Sequence, residues 1–432
     1  MIARLLPRRA DYAGLTRSWR GDLLAGVTVG VVALPLALAF GISSGVGAEA
    51  GLVTAVVAGL VAAIFGGSHV QVSGPTGAMA VVLAPIVARY GLGSVALVTI
   101  LAGLFVLVAG VTGLGRAVTF IPWPVIEGFT LGIATIIFLQ QVPAALGAKP
   151  PEGRTPLMAA WHVINHVDWA AARPALLIVG VSATLMVGLP LLHRAVPGSL
   201  TAVVAATVLA VAIGLPVGRI GELPAHLPAP TLPHADLTAL RTLLGAALAI
   251  ATLAAIESLL SARVAATMSG SGGPSLPYDP DRELVGQGLA SMASGLFGGM
   301  PATGAIARTA VNVRSGARTR VSAIVHSLLL LGVVYLATGP VSTVPLAALA
   351  AVLMVTSFRM ISVATAATIL RSTRSDALTF VLTAVITVCF DLIEAVEIGI
   401  LVAAFFALRT VARRSSVTRE ELPGPPQPGD ER

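Results

Sequence analysis

The chain is a succession of apolar runs cut by Pro, Gly and clusters of charge. Fourteen such segments can be counted: 23–43, 50–66, 76–88, 93–114, 117–141, 174–191, 198–215, 242–262, 284–298, 303–313, 321–338, 342–358, 376–390 and 393–411. A helix needs about 20 apolar residues to cross a bilayer. Most of these segments come near that length, but the third and tenth are too short to cross alone. Both open on the same break. The third begins within "SGPTGAMAVV" (Ser73 to Val82) and the tenth within "PATGAIART" (Pro301 to Thr309). In each, a proline and a Thr-Gly-Ala step precede the helical run.

The chain divides near residue 230 into two sets of seven segments, and the short one is third in each. An odd number of spans per set inverts the second set relative to the first. Paired short or Gly/Pro-interrupted segments in an inverted repeat point to a binding site at the repeat interface. The predicted fold is therefore an all-α polytopic membrane protein of 14 spans in a 7+7 inverted repeat, with half-helices at spans 3 and 10. The repeats run from about 22 to 215 and from about 242 to 411. Residues 1–21 precede them, and a polar, Pro-rich stretch, 416–432, follows.

Composition agrees with a membrane protein. The sequence is 56% hydrophobic and 11% charged, with a mean hydropathy of +0.91; soluble domains carry about 25% charged residues. A net charge of +7 could suggest a nucleic-acid partner, but its distribution excludes one. Arginines crowd the N-terminal segment, the turns after even-numbered spans and the C-terminal tail. The opposite loops hold only Arg89, Lys149, Arg154, Arg173, Arg219 and Arg241. The positive-inside rule then places both termini in the cytoplasm. Leu23 to Ile42 is long for a signal peptide and lacks a clear cleavage site, so it reads as a first span. Arginine almost without lysine points to a GC-rich bacterial genome, hence to the bacterial inner membrane. The single cysteine, Cys389, forms no intrachain disulfide and is expected to pack in the core. The loop histidines His162, His166, His226 and His234 lack the spacing and cysteine company of a metal site, and read as solvated or interfacial.

The two breaks carry the candidate chemistry. A helix that starts in mid-membrane leaves its first N–H groups unpaired, which is costly unless a ligand or cavity satisfies them. Those groups and the positive end of the helix dipole favour an anion. Gly77 and Gly304, with Ala78 and Ala305, let an anion approach the backbone, and Thr76 and Thr303 add hydroxyls. Helix kinking by Pro and Gly is the competing explanation. Arg308, about one turn into the tenth span, supplies a full positive charge to the space before that helix or snorkels to an interface. Glu257, deep in the eighth span with Ser258 and Ser261 nearby, is either a coupling site for H⁺ or Na⁺ or a partner for Arg308. Asp391, Glu394 and Glu397 read as solvent-facing, and His326 as a packed histidine. Neither a cofactor motif nor a convincing hydrolase dyad is present.

At "ALPLALAFGISSG" (33–45), "SGPTGAMAVV", "IESLLSA" (256–262) and "GLFGGMPATGAIARTAVNVRSGART" (295–319), the chain resembles the SulP (sulfate permease) family of anion transporters. The resemblance covers residues 15–415. It implies a core domain of spans 1–4 and 8–11, a gate domain of the rest, and a homodimer that moves core against gate like an elevator. Thr76, Gly77, Gly304, Ala305 and Arg308 would then line the anion site, and Glu257 matches an acidic position involved in cation coupling in bacterial members. Two departures stand out. Ala48-Glu49-Ala50-Gly51-Leu52-Val53 replaces an aromatic Pro-x-Tyr-Gly-Leu-Tyr motif, as in bicarbonate- and carboxylate-type members. The family usually carries a cytoplasmic STAS domain after the last span; this sequence stops in a polar, Pro-rich linker of the kind that leads into one, as a short natural member or a chain cut there would. The implied function is cation-coupled (H⁺ or Na⁺) symport of sulfate, bicarbonate or a carboxylate across the bilayer. An anion channel, an uncoupled exchanger and a nucleobase transporter are the alternatives; the last would not need Arg308.

Overall fold

Helix breakers set the element boundaries in the computed structural model, which describes residues 5–12, 15–116, 123–151, 154–192, 196–233, 237–269 and 278–389. The predicted span 393–411, Asp391, Glu394, Glu397, His234 and the 416–432 tail lie outside the described residues. The first half contains α1 (Leu15–Ser43), α2 (Ala48–Val53) and α3 (Gly59–Phe65), the last two joined by a π-helical turn (Thr54–Ala58). Then come β1 (Ser73–Gly74), α4 (Gly77–Tyr90), α5 (Gly93–Val111), α6 (Trp123–Ala145), α7 (Pro156–His166), α8 (Trp169–Leu192) and α9 (Gly198–Ala212). The second half contains α10 (Leu237–Ser269), α11 (Pro280–Leu296), β2 (Thr303–Gly304), α12 (Ile306–Arg314) and α13 (Val321–Leu336). It continues with α14 (Thr338–Ser342), α15 (Leu346–Met360), α16 (Val363–Leu370) and α17 (Arg374–Cys389). Among the described residues, seven helical stretches are long and apolar enough to cross a bilayer, while α4, α9 and α13 are shorter apolar helices.

Two departures from the sequence-based expectations concern the surface. The stretch expected as an outer loop, 142–173, contains a helix, α7. Thr155 caps it by accepting from the Met158 N–H (3.4 Å), and Pro156 takes the first helical position, where it has no N–H to lose. Ala159, Ala160 and Val163 are buried while Leu157, Met158 and Trp161 are exposed, so α7 lies against α6 as an amphipathic helix. Cys389 is exposed rather than packed. The buried face of α17 is Thr379, Phe380, Thr383, Ala384 and Thr387, and Cys389 falls off that stripe.

The halves interleave. Helices α1, α3 and α5 pack against α10, α11, α12 and α13, whereas α6, α8 and α9 pack with α15 and α17. Helices α5 and α11 approach closely because Gly103 faces Gly288: a methyl on Gly103 would lie 2.7 Å from the Gly288 carbonyl oxygen. Close backbone contact of this kind replaces the hydrophobic drive that lipid does not supply.

Helix α11 is the polar member of this packing. Its Glu283 Oε2 accepts the Gly67 and Ser68 N–H groups (2.8 and 2.9 Å), and its Gln287 Nε2 donates to Ser73 Oγ (2.5 Å) and to Glu283 Oε1 (2.9 Å). One turn further on, Ser291 Oγ bonds the Ala302 backbone and Ser294 Oγ donates to the Met300 carbonyl (2.8 Å). A single helix thus braces the chain leading into both breaks.

A second clamp ties α1 to the turn before α13. The fully buried Asp22 accepts from the Arg318 N–H (2.7 Å), the Thr319 N–H (2.9 Å), the Thr319 hydroxyl (2.8 Å) and the Ser18 hydroxyl (2.7 Å). Alanine at 22 would leave two backbone donors unpaired. Hydrogen bonds to charged groups contribute about 1.5–3 kcal/mol, so Asp22→Ala is expected to lower the apparent melting temperature of detergent-purified protein by several degrees. A melting curve superimposable on that of the wild type would show that the turn is held by other contacts.

Candidate functional site

The two breaks meet in the middle of the bundle and pair with each other. Strands β1 and β2 are antiparallel, with Ser73 opposite Gly304 and Gly74 opposite Thr303. The Ala305 N–H extends the ladder to the Val72 carbonyl (2.9 Å). Each strand is followed at once by a helix start. Gly74 has φ 150°, and a methyl there would meet Arg308 Nη1 at 3.0 Å and Ala55 Cα at 3.4 Å. Glycine is required at that crossing.

Thr76 is the N-cap of α4, its hydroxyl 3.5 Å from the Met79 N–H. By helix geometry the N–H groups of Gly77 and Ala78 have no partner within α4, nor do those of Ile306 and Ala307 within α12. Thr76, Ala78, Thr303 and Ala305 are all buried.

Between the two helix starts lies the carboxylate of Glu257, from the middle of α10. Its Oε2 accepts from the Thr76 hydroxyl (3.0 Å) and the Thr303 hydroxyl (2.8 Å), and the two hydroxyl oxygens are 3.1 Å apart. The next residue, Ser258, accepts the Gly304 N–H on its hydroxyl (3.1 Å). Ser261 donates to Thr309 Oγ1 (3.2 Å), which accepts the Val72 N–H (3.1 Å). One face of α10 therefore touches both breaks.

Arg308 is the third residue of α12 and is 2% exposed, so it does not snorkel. Nor does it fold back over its own helix start. It crosses to the other break, where Nη2 donates to the Pro75 carbonyl (2.8 Å), and Nη1 is buried without a hydrogen-bond partner. Thr309 and Asn312 share that face, Asn312 donating to the Val70 carbonyl (2.8 Å) and to Ser322 Oγ (2.9 Å). All seven predicted binding and coupling positions other than Ser261 thus lie at or beside the crossing, and Ser261 joins it through Thr309.

Sequence reasoning passed over Gln71, Ser258 as an acceptor, Thr309 and Asn312. Their signal was available: residues 308, 309 and 312 form a polar stripe on a membrane-depth helix, and Ser68, Gln71 and Ser73 are polar within an otherwise apolar half. Gln71 is 5% exposed with both amide atoms unpartnered, and the fully buried His326 leaves Nε2 unpartnered. No cluster of three metal-ligating side chains occurs among the described residues. His162 and His166 lie one turn apart on α7 with ring centroids 4.2 Å apart.

The electrostatics are those of a compensated site. Each helix N-terminus is worth about half a positive charge, and Arg308 adds a full one beside Gly74 and Pro75. Among the described residues, Glu257, which is only partly buried, is the carboxylate hydrogen-bonded at the two breaks.

Residues 19–383 match the Sulfate permease family. A Bacillus subtilis (strain 168) protein named "Putative sulfate transporter YvdB" is 39% identical over 420 residues, covering 94% of this chain and 76% of that protein. The bicarbonate transporter BicA of a Picosynechococcus species is 33% identical over 421 residues, covering 94% of this chain and 72% of that protein. Among solved structures, the transmembrane domain of a cyanobacterial BicA superposes with a TM-score of 0.79 at 36% identity, covering 88% of this chain and 98% of that domain. The murine Slc26a9 anion transporter shares the fold at 17% identity, with a TM-score of 0.83 over 95% of this chain and 72% of that one. Family match, apolar helices and shared fold lead to one conclusion: this chain belongs to the sulfate permease family, integral membrane transporters rather than enzymes.

Proposed function

We propose that the protein is a secondary active transporter of a small anion (sulfate, bicarbonate or a carboxylate) that binds between the starts of α4 and α12. The observation that carries this reading is the crossing itself. Two helix N-termini, two threonine hydroxyls and a buried guanidinium converge where the chain could have run straight through. Thr76, Gly77, Ala78, Gly304, Ala305 and Arg308 form the binding set, and Glu257 with Ser261 the coupling set. BicA relatives carry bicarbonate in their name and YvdB sulfate, which supports an oxyanion without choosing between them.

Coupling follows from charge. While Glu257 is ionised, it takes the two threonine hydroxyls and offsets the helix ends, so an incoming anion meets both competition and repulsion. A proton on the carboxylate, or Na⁺ beside it, removes that repulsion and frees the hydroxyls. Anion and cation then bind with positive linkage, and each raises the other's affinity by the same factor. Symport is the consequence.

The wider architecture is part of the proposal. Fourteen spans in a 7+7 inverted repeat would divide into a core holding the crossing (α1–α5 with α10–α13) and a gate (α6–α9 with α15–α17 and the final span). The packing of these helices into two groups supports that division. The core would move against the gate in an elevator-like stroke within a homodimer, both termini on the cytoplasmic side of a bacterial inner membrane. A channel or an uncoupled exchanger on the same fold would need no titrating carboxylate at the crossing.

Two expected outcomes test the site. Arg308→Ala should weaken anion affinity in purified, monodisperse protein by about 2 kcal/mol or more, the order of a lost charge-assisted bond, which is roughly a 30-fold rise in Kd. Arg308→Lys should be intermediate, because charge persists without the planar fork. The exposed Arg314, five residues before the α1-clamped turn ends at Thr319, should tolerate Ala with little change. Unaltered affinity in Arg308→Ala would falsify the assignment of this site.

Glu257→Gln keeps the shape and a hydrogen-bonding end but cannot hold a cation. In proteoliposomes it is expected to retain anion exchange while losing accumulation driven by an imposed H⁺ or Na⁺ gradient. Full gradient-driven accumulation in the variant would make Glu257 a structural residue and leave the uncoupled exchanger as the better account.

A further inference from the structure

Away from the crossing, the end of the bundle where α3 stops and α11 and α13 start holds two more buried arginines. Arg282 is 6% exposed and Arg320 is 1% exposed. Each uses part of its guanidinium to close the last turn of α3. Arg282 Nε donates to the Phe65 carbonyl (3.3 Å), and Arg320 Nη1 donates to the Ala63 carbonyl (3.0 Å). What remains of both forks faces Asp11, carried by a short 3₁₀ turn (Arg9–Tyr12) of the N-terminal segment.

Asp11 is bound as a ligand would be. Its Oδ1 accepts from Arg282 Nη1 (2.9 Å), and its Oδ2 accepts from Arg282 Nη2 (2.6 Å) and from the Arg8 N–H (2.8 Å). This is the two-point arrangement that guanidinium forms with carboxylate, sulfate or phosphate. Arg320 is left incompletely served. Its Nε stands 3.9 Å from Oδ2, and both Nε and Nη2 are buried without a hydrogen-bond partner. The nearby Glu283 has spent its oxygens on Gly67, Ser68 and Gln287. One carboxylate with two oxygens therefore sits in a cage whose donors outnumber its acceptors, beside two positive charges.

We infer that Arg282 and Arg320 form a second oxyanion site, separate from the crossing, that Asp11 fills as a built-in ligand and that a free phosphate- or sulfate-class dianion can occupy when the N-terminal segment lifts away. A tetrahedral oxyanion brings four oxygens and two charges. It can engage the Arg282 fork and the two idle Arg320 donors together, which the carboxylate does not. Burial acts to raise the Asp11 pKa, but the Arg282 hydrogen bond, the Arg8 N–H and the charges of Arg320 and Arg282 outweigh it and hold the pKa at about 2. Asp11 is thus an ionised competitor at every working pH, and displacement is by exchange of anions rather than by protonation. The arrangement couples the N-terminal segment to the concentration of oxyanion on the side of the membrane where it lies.

The test compares wild type with Asp11→Ala, purified in chloride and titrated with inorganic phosphate, against chloride at matched ionic strength. The readouts are the apparent melting temperature and hydrogen exchange of residues 63–70 and 279–283. Without phosphate, Asp11→Ala is expected to melt below wild type, since the arginines lose their counter-charge. Phosphate should then raise its melting temperature by about 3 °C or more beyond any rise in wild type, with renewed protection of those two stretches. Asp11→Asn, which keeps one carbonyl acceptor, covers the case in which the alanine variant does not fold. Equal phosphate shifts in wild type and variant would overturn the inference, as would a variant that melts like wild type and ignores phosphate. Failure of both variants to give monodisperse protein even when purified in phosphate would also overturn it, because the site would then accept no free oxyanion.

Discussion

A backbone that leaves its helix inside a membrane must find partners for its N–H and C=O groups, because hydrocarbon offers none. In this chain the two departures are each other's partners. The bridge of Ser73 and Gly74 with Thr303 and Gly304 is only two residues long on each side, yet the rest of the site depends on it. It fixes where α4 and α12 begin, brings Thr76 beside Thr303, and leaves the first N–H groups of both helices without partners inside their own helices. The polar face of α11 braces the approach to each strand, through Gln287 on Ser73 and through Ser291 and Ser294 on Ala302 and Met300. The polar face of α12 completes the enclosure from the second half onto the first.

Charge is handled in the same way at two places. At the crossing, Glu257 faces two helix ends and a guanidinium; at the α11–α13 end, Asp11 faces two guanidinium groups. In both, a carboxylate of the chain is held by donors of the protein: the Thr76 and Thr303 hydroxyls at the crossing, and Arg282 with the Arg8 N–H at the other end. The difference lies in what releases it. Glu257 is partly open and bound by neutral hydroxyls, and the proposed function has a cation neutralise it where it stands. Asp11 is gripped by Arg282 at 2.6 and 2.9 Å and is released only by moving its segment. Buried charge that is left unpaired is costly, and in both proposals this cost ties occupancy of the donors to a change elsewhere in the chain.

Much of this was legible in the sequence because mid-membrane breaks need residues that are rare in apolar runs. The repeated Pro and Thr-Gly-Ala marked both short helices to within three residues of their observed starts at Gly77 and Ile306. Glu257 and Arg308 stood out because a charge at that depth has few innocent explanations. The direction of Arg308 was not legible. Its reach to the Pro75 carbonyl depends on the strand pairing, a contact over 233 residues of sequence that local pattern does not encode. The polar role of α11 was hidden because Glu283, Gln287, Ser291 and Ser294 recur at helical spacing within a segment that still reads as a span. Helix α7 was missed because its apolar face is short and its length was read as loop. The Asp11 contact was missed for a related reason: a short N-terminal turn carries no periodic signal, and its hydrogen-bonding partner Arg282 lies 271 residues away.

If a transported anion replaces Glu257 as the partner of the Thr76 and Thr303 hydroxyls, an experimental structure with the oxyanion bound should show it directly. The expected result is density within hydrogen-bonding distance of the Gly77 and Ala78 N–H groups and of the Ile306 N–H group, with both threonine hydroxyls turned from Glu257 toward it. An anion bound elsewhere, with both threonines still donating to Glu257, would rule this site out.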